Sequence, residues 1–139
     1  MSTMVSGMTA LQLILRLFGT SSLFALVFVA APRGWMQEIH VALGMGEMPD
    51  APVVWYLARS ASAFYAILGG LFWVLSFDPA GHRTVLRYLG WAIVLFGLSL
   101  YLIDYLEGLP LFWWTFEGSV VTTFGAAILV LTPRKEKGR

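Results

Sequence analysis

Long apolar runs separated by short polar connections dominate the chain. The four runs cover about residues 11–31, 53–77, 86–103 and 111–131. Because an α-helix rises ~1.5 Å per residue, each run is long enough to cross the ~30 Å hydrocarbon core of a bilayer. Proline stands shortly after three of the runs, where a helix would end. The pattern predicts an all-α membrane protein, a single domain built as a bundle of four transmembrane helices.

The connection between the first two spans has an apolar pattern of its own. Trp35, Ile39 and Leu43 stand at the helical spacing i, i+4 and i+8, and Gly44 follows where the helix would end. This spacing predicts a short amphipathic helix that lies on the outer membrane surface. An irregular loop with scattered apolar residues is the alternative interpretation.

The basic residues predict the orientation of the bundle, because Lys and Arg accumulate in the cytoplasmic loops of membrane proteins. With four spans, the outer side would hold only Arg33 and Arg59. The other seven basic residues would lie on the inner side, including the 78–87 loop and the basic tail 133–139: Arg16, Arg83, Arg87, Arg134, Lys135, Lys137 and Arg139. We therefore expect a multi-pass protein of a bacterial cytoplasmic membrane with both termini in the cytoplasm.

The composition narrows the chemistry that the chain can perform. Hydrophobic residues make up 58% of its 139 positions and charged residues 12%, which suits a bilayer better than water. The absence of cysteine excludes disulfides, thiolate metal sites and a Cys-x-x-Cys redox relay. A net charge of +1 gives no reason to expect a nucleic acid partner.

The positions of the two histidines limit the cofactors that this chain can bind. His40 falls in the outer loop and His82 in the inner loop, so they cannot together ligate one haem or metal ion. No arrangement of serine, histidine and aspartate falls on one side of the membrane at matching depth. We therefore expect no cofactor, no metal site and no catalytic residues within this chain.

Several polar residues fall near the outer ends of the predicted spans. Arg59 and Glu117 each stand a short way into a span, about 9 Å deep at the helical rise. Asp104 lies near the outer end of the third span, with Glu107 just beyond it. Small residues follow Arg59 and Glu117 at helical spacing and would let the two helices approach closely. The matched depth predicts that Arg59 and Glu117 meet inside the bundle.

Three interpretations of this cluster stay open. It is a structural ion pair that sets helix register, because charges inside membranes commonly pair with one another. Alternatively, it is an outward-facing pocket in which Arg59 anchors an anionic or polar headgroup. The third interpretation is a proton-coupled site in which Glu117 or Asp104 titrates. Tyr101 and Tyr105 share a helix face with Asp104, and they serve either a ligand or the interfacial aromatic belt.

The stretches 59–70 and Phe116-Glu117-Gly118 resemble small DoxX-like four-helix bacterial membrane proteins. The similarity covers about residues 11–131, with an arginine early in the second span and a glutamate early in the fourth. The resemblance implies a four-helix fold. A few members of that group are linked to quinone-associated redox complexes, and the resemblance implies no catalytic residue.

Together these features predict a small non-enzymatic membrane protein. It would be a binding or accessory subunit whose outer polar cluster holds a lipid-like or quinone-like ligand or a partner. Besides the lipid bilayer, we expect a membrane-protein partner or a homo-oligomer. The alternative is a small ion- or proton-coupled carrier that acts as an oligomer. Small multidrug carriers are similar in size, but their coupling glutamate stands where this chain has Gly19-Thr20-Ser21-Ser22.

Overall fold

The structure is a computed structural model that describes residues 8–134, all of them helical or in short connections. The helices are α1 (Ala10–Leu23), α2 (Leu26–Ala30), α3 (Arg33–Ala42), α4 (Pro52–Phe77), α5 (Arg83–Leu106) and α6 (Leu111–Leu131). Four of these units are long and apolar enough to cross a membrane: α1 with α2, α4, α5 and α6. The prediction of an all-helical chain with four candidate spans is confirmed. Lys135, Lys137 and Arg139 of the predicted basic tail lie outside the described residues.

Local sequence explains where the helices begin. The Thr9 hydroxyl accepts the Gln12 backbone N–H at 3.2 Å, and the Gln12 side-chain oxygen accepts the Thr9 backbone N–H at 2.9 Å. This capping box satisfies two backbone donors that the first turn of α1 would leave unpaired. Proline stands at the N-cap of α3 and α6 and in the first turn of α4, where its missing N–H costs nothing.

The first predicted span is broken near its middle. α1 ends at Leu23, and a tight turn at Phe24 and Ala25 precedes α2. The Ala25 N–H donates to the Ser22 carbonyl three residues back instead of the Ser21 carbonyl four residues back. Three consecutive hydroxyl residues of low helix propensity, Thr20 to Ser22, stand just before this turn and weaken the helix there. The break leaves the Ser21 carbonyl without its helical donor.

The long helices form two tightly packed pairs, α1 with α4 and α5 with α6. Glycine makes both contacts possible. A Cβ added to Gly69 of α4 would lie 2.8 Å from the backbone nitrogen of Leu23, and one added to Gly125 of α6 would lie 2.8 Å from the Gly90 carbonyl oxygen. Because the helix backbones themselves touch, each pair leaves no room for a side chain at these positions.

A single apolar core joins the two pairs at one end of the bundle. Its buried residues come from the start of α1, the end of α4, the start of α5 and the end of α6: Leu11, Leu15, Phe72, Leu75, Leu86, Phe124 and Ile128. Near the middle, the Phe18 ring stacks on the Phe124 ring with 3.6 Å between centroids. Towards the opposite end, which we call the α3 end, no buried apolar cluster joins the two pairs among the described residues.

The predicted short helix between the first two spans is present as α3. Its Met36 is buried against Ala31 and Trp55 in a small second core, whereas Trp35 stays 59% exposed and Ile39 44% exposed. The helix therefore packs on the protein through a face one residue away from the predicted stripe. Trp35 and Ile39 remain available to a membrane surface.

Candidate functional site

A cleft lies between α1 of one helix pair and α6 of the other. It has a volume of about 530 Å³ and lies mainly between α1 and α6, with one residue from α4. We call it the α1–α6 cleft, and it is lined by Leu17, Phe18, Ser21, Ser22, Ala25, Tyr65, Phe116 and Val120. Most of this lining is apolar, with two serine hydroxyls and a tyrosine as the polar groups. Such a surface suits an apolar body with a small polar end.

The helix break lies beside this cleft. Ser21 and Ser22 belong to the lining, and the Ser21 carbonyl is the one that lost its helical donor. In an apolar medium, an unpaired carbonyl is costly unless a donor reaches it. A hydrogen-bond donor on a molecule bound next to the break would satisfy this carbonyl.

Arg59 does not line the α1–α6 cleft, and its hydrogen bonds go to backbone carbonyls. Its guanidinium donates to the Val29 carbonyl and, at 2.8 Å, to the Ala31 carbonyl at the end of α2. Pro32 ends the helix there, so these carbonyls lack helical donors, and the negative end of the helix dipole attracts the cation. Within residues 8–134, the one ion pair is Arg33 with Asp50 at 3.4 Å. The predicted pairing of Arg59 with Glu117 is therefore wrong in this structure.

Glu117 is half-buried on α6, directly after Phe116 of the cleft wall. Its carboxylate interacts electrostatically with the Tyr65 hydroxyl on α4 and the Asp104 carboxyl on α5. Trp113, one turn earlier on α6, approaches its carboxylate. Among the described residues, Glu117 forms no ion pair with the predicted arginine.

Asp104 is the most deeply buried of the predicted site residues, with 3% of its surface exposed. It continues the seven-residue spacing of Gly90 and Gly97, so it lies on the α5 face that packs against α6. Its Oδ2 atom has no hydrogen-bond partner among the described residues. A buried carboxylate oxygen of this kind calls for a donor, a cation or a proton.

The other predicted site residues are divided between packing and the surface. The Tyr101 hydroxyl lies 2.6 Å from the Ser119 hydroxyl, and its ring meets Trp114 edge to face. Tyr101 therefore ties α5 to α6. Tyr105 is 70% exposed and Glu107 is also exposed, so neither joins Asp104.

Sequence reasoning missed Tyr65 and the serines at the helix break as parts of the site. Tyr65 lies in the apolar run of α4 without a polar neighbour that would single it out. The polar triplet Thr20-Ser21-Ser22 in the middle of a span was an available signal for the break. It does not show which helix faces the triplet, because that depends on how the pairs pack.

No protein-family model matches the chain, and comparisons with curated proteins and with solved structures also find no match.

Proposed function

We propose that this chain is a small non-enzymatic integral membrane protein that binds a lipid-like or quinone-like molecule in the α1–α6 cleft. The observation that carries the proposal is the apolar cleft between α1 of one helix pair and α6 of the other. Each pair is held by backbone contact, yet the space between them is an apolar cleft of about 530 Å³. A long apolar molecule fills such a space and restores the contacts that the helices do not make with each other.

The proposed setting is a bacterial cytoplasmic membrane with both termini in the cytoplasm, which places the α3 end and the mouth of the cleft in the outer leaflet. The excess of basic residues near the opposite end supports this orientation. A role as an accessory subunit, in a DoxX-like family or alongside a partner protein, stays a prediction from the sequence.

Native mass spectrometry of the protein extracted gently from its own membrane tests the proposal. We expect a small molecule of defined mass on the wild-type chain. Val120→Trp fills the cleft wall and should remove that mass. Val130→Trp is the matched control, because Val130 lies on the same helix and is 81% exposed. The proposal fails if the wild-type chain carries no defined mass or if both variants lose it equally.

A second candidate function is an ion- or proton-coupled carrier that acts as an oligomer. The observation in its favour is that Glu117 and Asp104 interact electrostatically and that neither forms an ion pair among the described residues. In reconstituted vesicles, a carrier would show proton flux that Glu117→Gln abolishes. Flux of this kind from a chain that carries no defined small molecule would favour the carrier over the binding protein.

A further inference from the structure

A second pocket lies beneath α3, apart from the α1–α6 cleft. It has a volume of about 360 Å³, and Met36, His40, Met45 and Met48 are among its lining residues. Three of the six methionines in the chain therefore reach one pocket together with an imidazole. We call these four residues the Met–His cluster.

One ring nitrogen of His40 is engaged by the backbone. Its Nδ1 atom lies 2.8 Å from the Gly46 carbonyl oxygen. Because a carbonyl can only accept, Nδ1 carries a proton, and in the neutral form of the ring Nε2 presents a lone pair. Within residues 8–134, no hydrogen bond occupies Nε2. Metal-binding histidines are oriented in this way, with the second ring nitrogen donating to a carbonyl.

The loop after α3 is held against the helix by its backbone. Gly44 and Gly46 have φ angles of +75° and +80°, which lets the chain fold back beside the helix. Met45 donates its backbone N–H to the last turn of α3 at 3.1 Å. Met48 donates its own to the Gln37 side chain at 2.9 Å. These bonds fix the loop through its main chain, so both thioethers line the pocket without having to anchor the loop.

The ligand atoms of the Met–His cluster determine which metal ion the cluster would prefer. Thioether sulfur and neutral imidazole are soft or borderline ligands, and they favour Cu(I) over hard cations such as Mg²⁺ or Ca²⁺. No carboxylate lines this pocket, so a divalent ion would keep its full charge in a largely apolar surrounding. A monovalent soft cation pays a smaller desolvation cost there.

We propose that the Met–His cluster is a Cu(I)-binding site at the α3 end of the bundle. Ordinary packing explains Met36, which is buried against Ala31 and Trp55. It does not explain why an imidazole with an available nitrogen shares the apolar pocket with two further thioethers. The expectation of no metal site rests on the two histidines falling in loops on opposite sides of the membrane, and here the methionines supply the further ligands beside His40.

Competition for Cu(I) tests the site on the full chain in detergent or nanodiscs. The protein is titrated without oxygen against the Cu(I) complex of bicinchoninate, with ascorbate to keep the copper reduced. We expect one Cu(I) per chain and, in X-ray absorption, both sulfur and nitrogen neighbours. His40→Ala and the double variant Met45→Leu with Met48→Leu should each weaken binding at least about tenfold, since even supporting groups of metal sites contribute that much.

His82→Ala is the matched control. The Nδ1 atom of His82 also meets a backbone carbonyl, that of Asp78 at 2.7 Å, but this residue is exposed in the α4–α5 connection. Its removal should leave Cu(I) affinity unchanged. Met→Leu conserves side-chain volume, so thermal melting should show that the double variant still folds. The proposal is overturned if the wild type retains no Cu(I), if the cluster variants retain it fully, or if His82→Ala loses as much.

Discussion

The role of Arg59 can be tested by a double-mutant cycle with Glu117. In the structure, the guanidinium binds two carbonyls at the end of α2 and makes no ion pair with Glu117. Side-chain hydrogen bonds inside membrane proteins contribute about 0.6 to 1.7 kcal/mol each. Arg59→Ala should therefore lower the free energy of unfolding by about 1 to 3 kcal/mol. This loss should be the same whether residue 117 is glutamate or, after Glu117→Gln, glutamine.

The assay is reversible unfolding in mixed micelles, followed by circular dichroism for the wild type, both single variants and the double variant. The coupling energy should stay below about 0.5 kcal/mol, as for side chains that do not interact. Arg59→Lys provides a control, because lysine keeps the charge but cannot donate to both carbonyls in the fixed geometry of a guanidinium. Its stability should fall between those of the wild type and Arg59→Ala. A coupling energy above about 1 kcal/mol would refute this account and restore the ion pair that the sequence predicts.

Three further predictions concern packing, a buried hydroxyl and orientation. Gly97→Ala places a Cβ within 2.6 Å of backbone on α6 and should cost about 1 to 3 kcal/mol in the same unfolding assay. Gly70→Ala meets nothing within 4 Å and should be neutral or stabilise by up to about 1 kcal/mol; equal losses would contradict the packing. Ser76→Ala removes the acceptor of a partly buried hydrogen bond of 3.1 Å from the Arg16 guanidinium and should lower the melting temperature; an unchanged melt would argue against that bond. In intact cells, a membrane-impermeant maleimide should label Glu47→Cys but not Ala80→Cys, and the reverse pattern would invert the proposed topology.

The packing partners of the polar residues could not be predicted from the sequence. Arg59 and Glu117 stand at matching depth, and depth follows directly from position along a helix. Whether two side chains at equal depth meet depends on the rotation and neighbours of their helices. Here, Pro32 leaves two backbone carbonyls without helical donors beside Arg59. The guanidinium binds these carbonyls and does not pair with Glu117.

Only part of the Met–His cluster could be predicted from the sequence. His40 and Met36 are one turn apart on α3, so their shared face follows from helical spacing. Met45 and Met48 join them only because the loop folds back at two glycines with positive φ and is held by backbone hydrogen bonds. The spacing of the residues along the sequence does not predict that this loop folds back beside α3.

The sequence by itself determined the number and apolar character of the four candidate spans, because hydrophobic run length is a local property that hydrocarbon thickness makes decisive. It also determined α3 and the starts of the helices, which depend on nearby capping residues and prolines. Only the tertiary structure decided that the helices pair as α1 with α4 and α5 with α6, that the first span breaks between α1 and α2, and that the shared core lies at the end opposite α3. Those outcomes depend on which glycines let two backbones touch, and that contact joins residues distant along the chain.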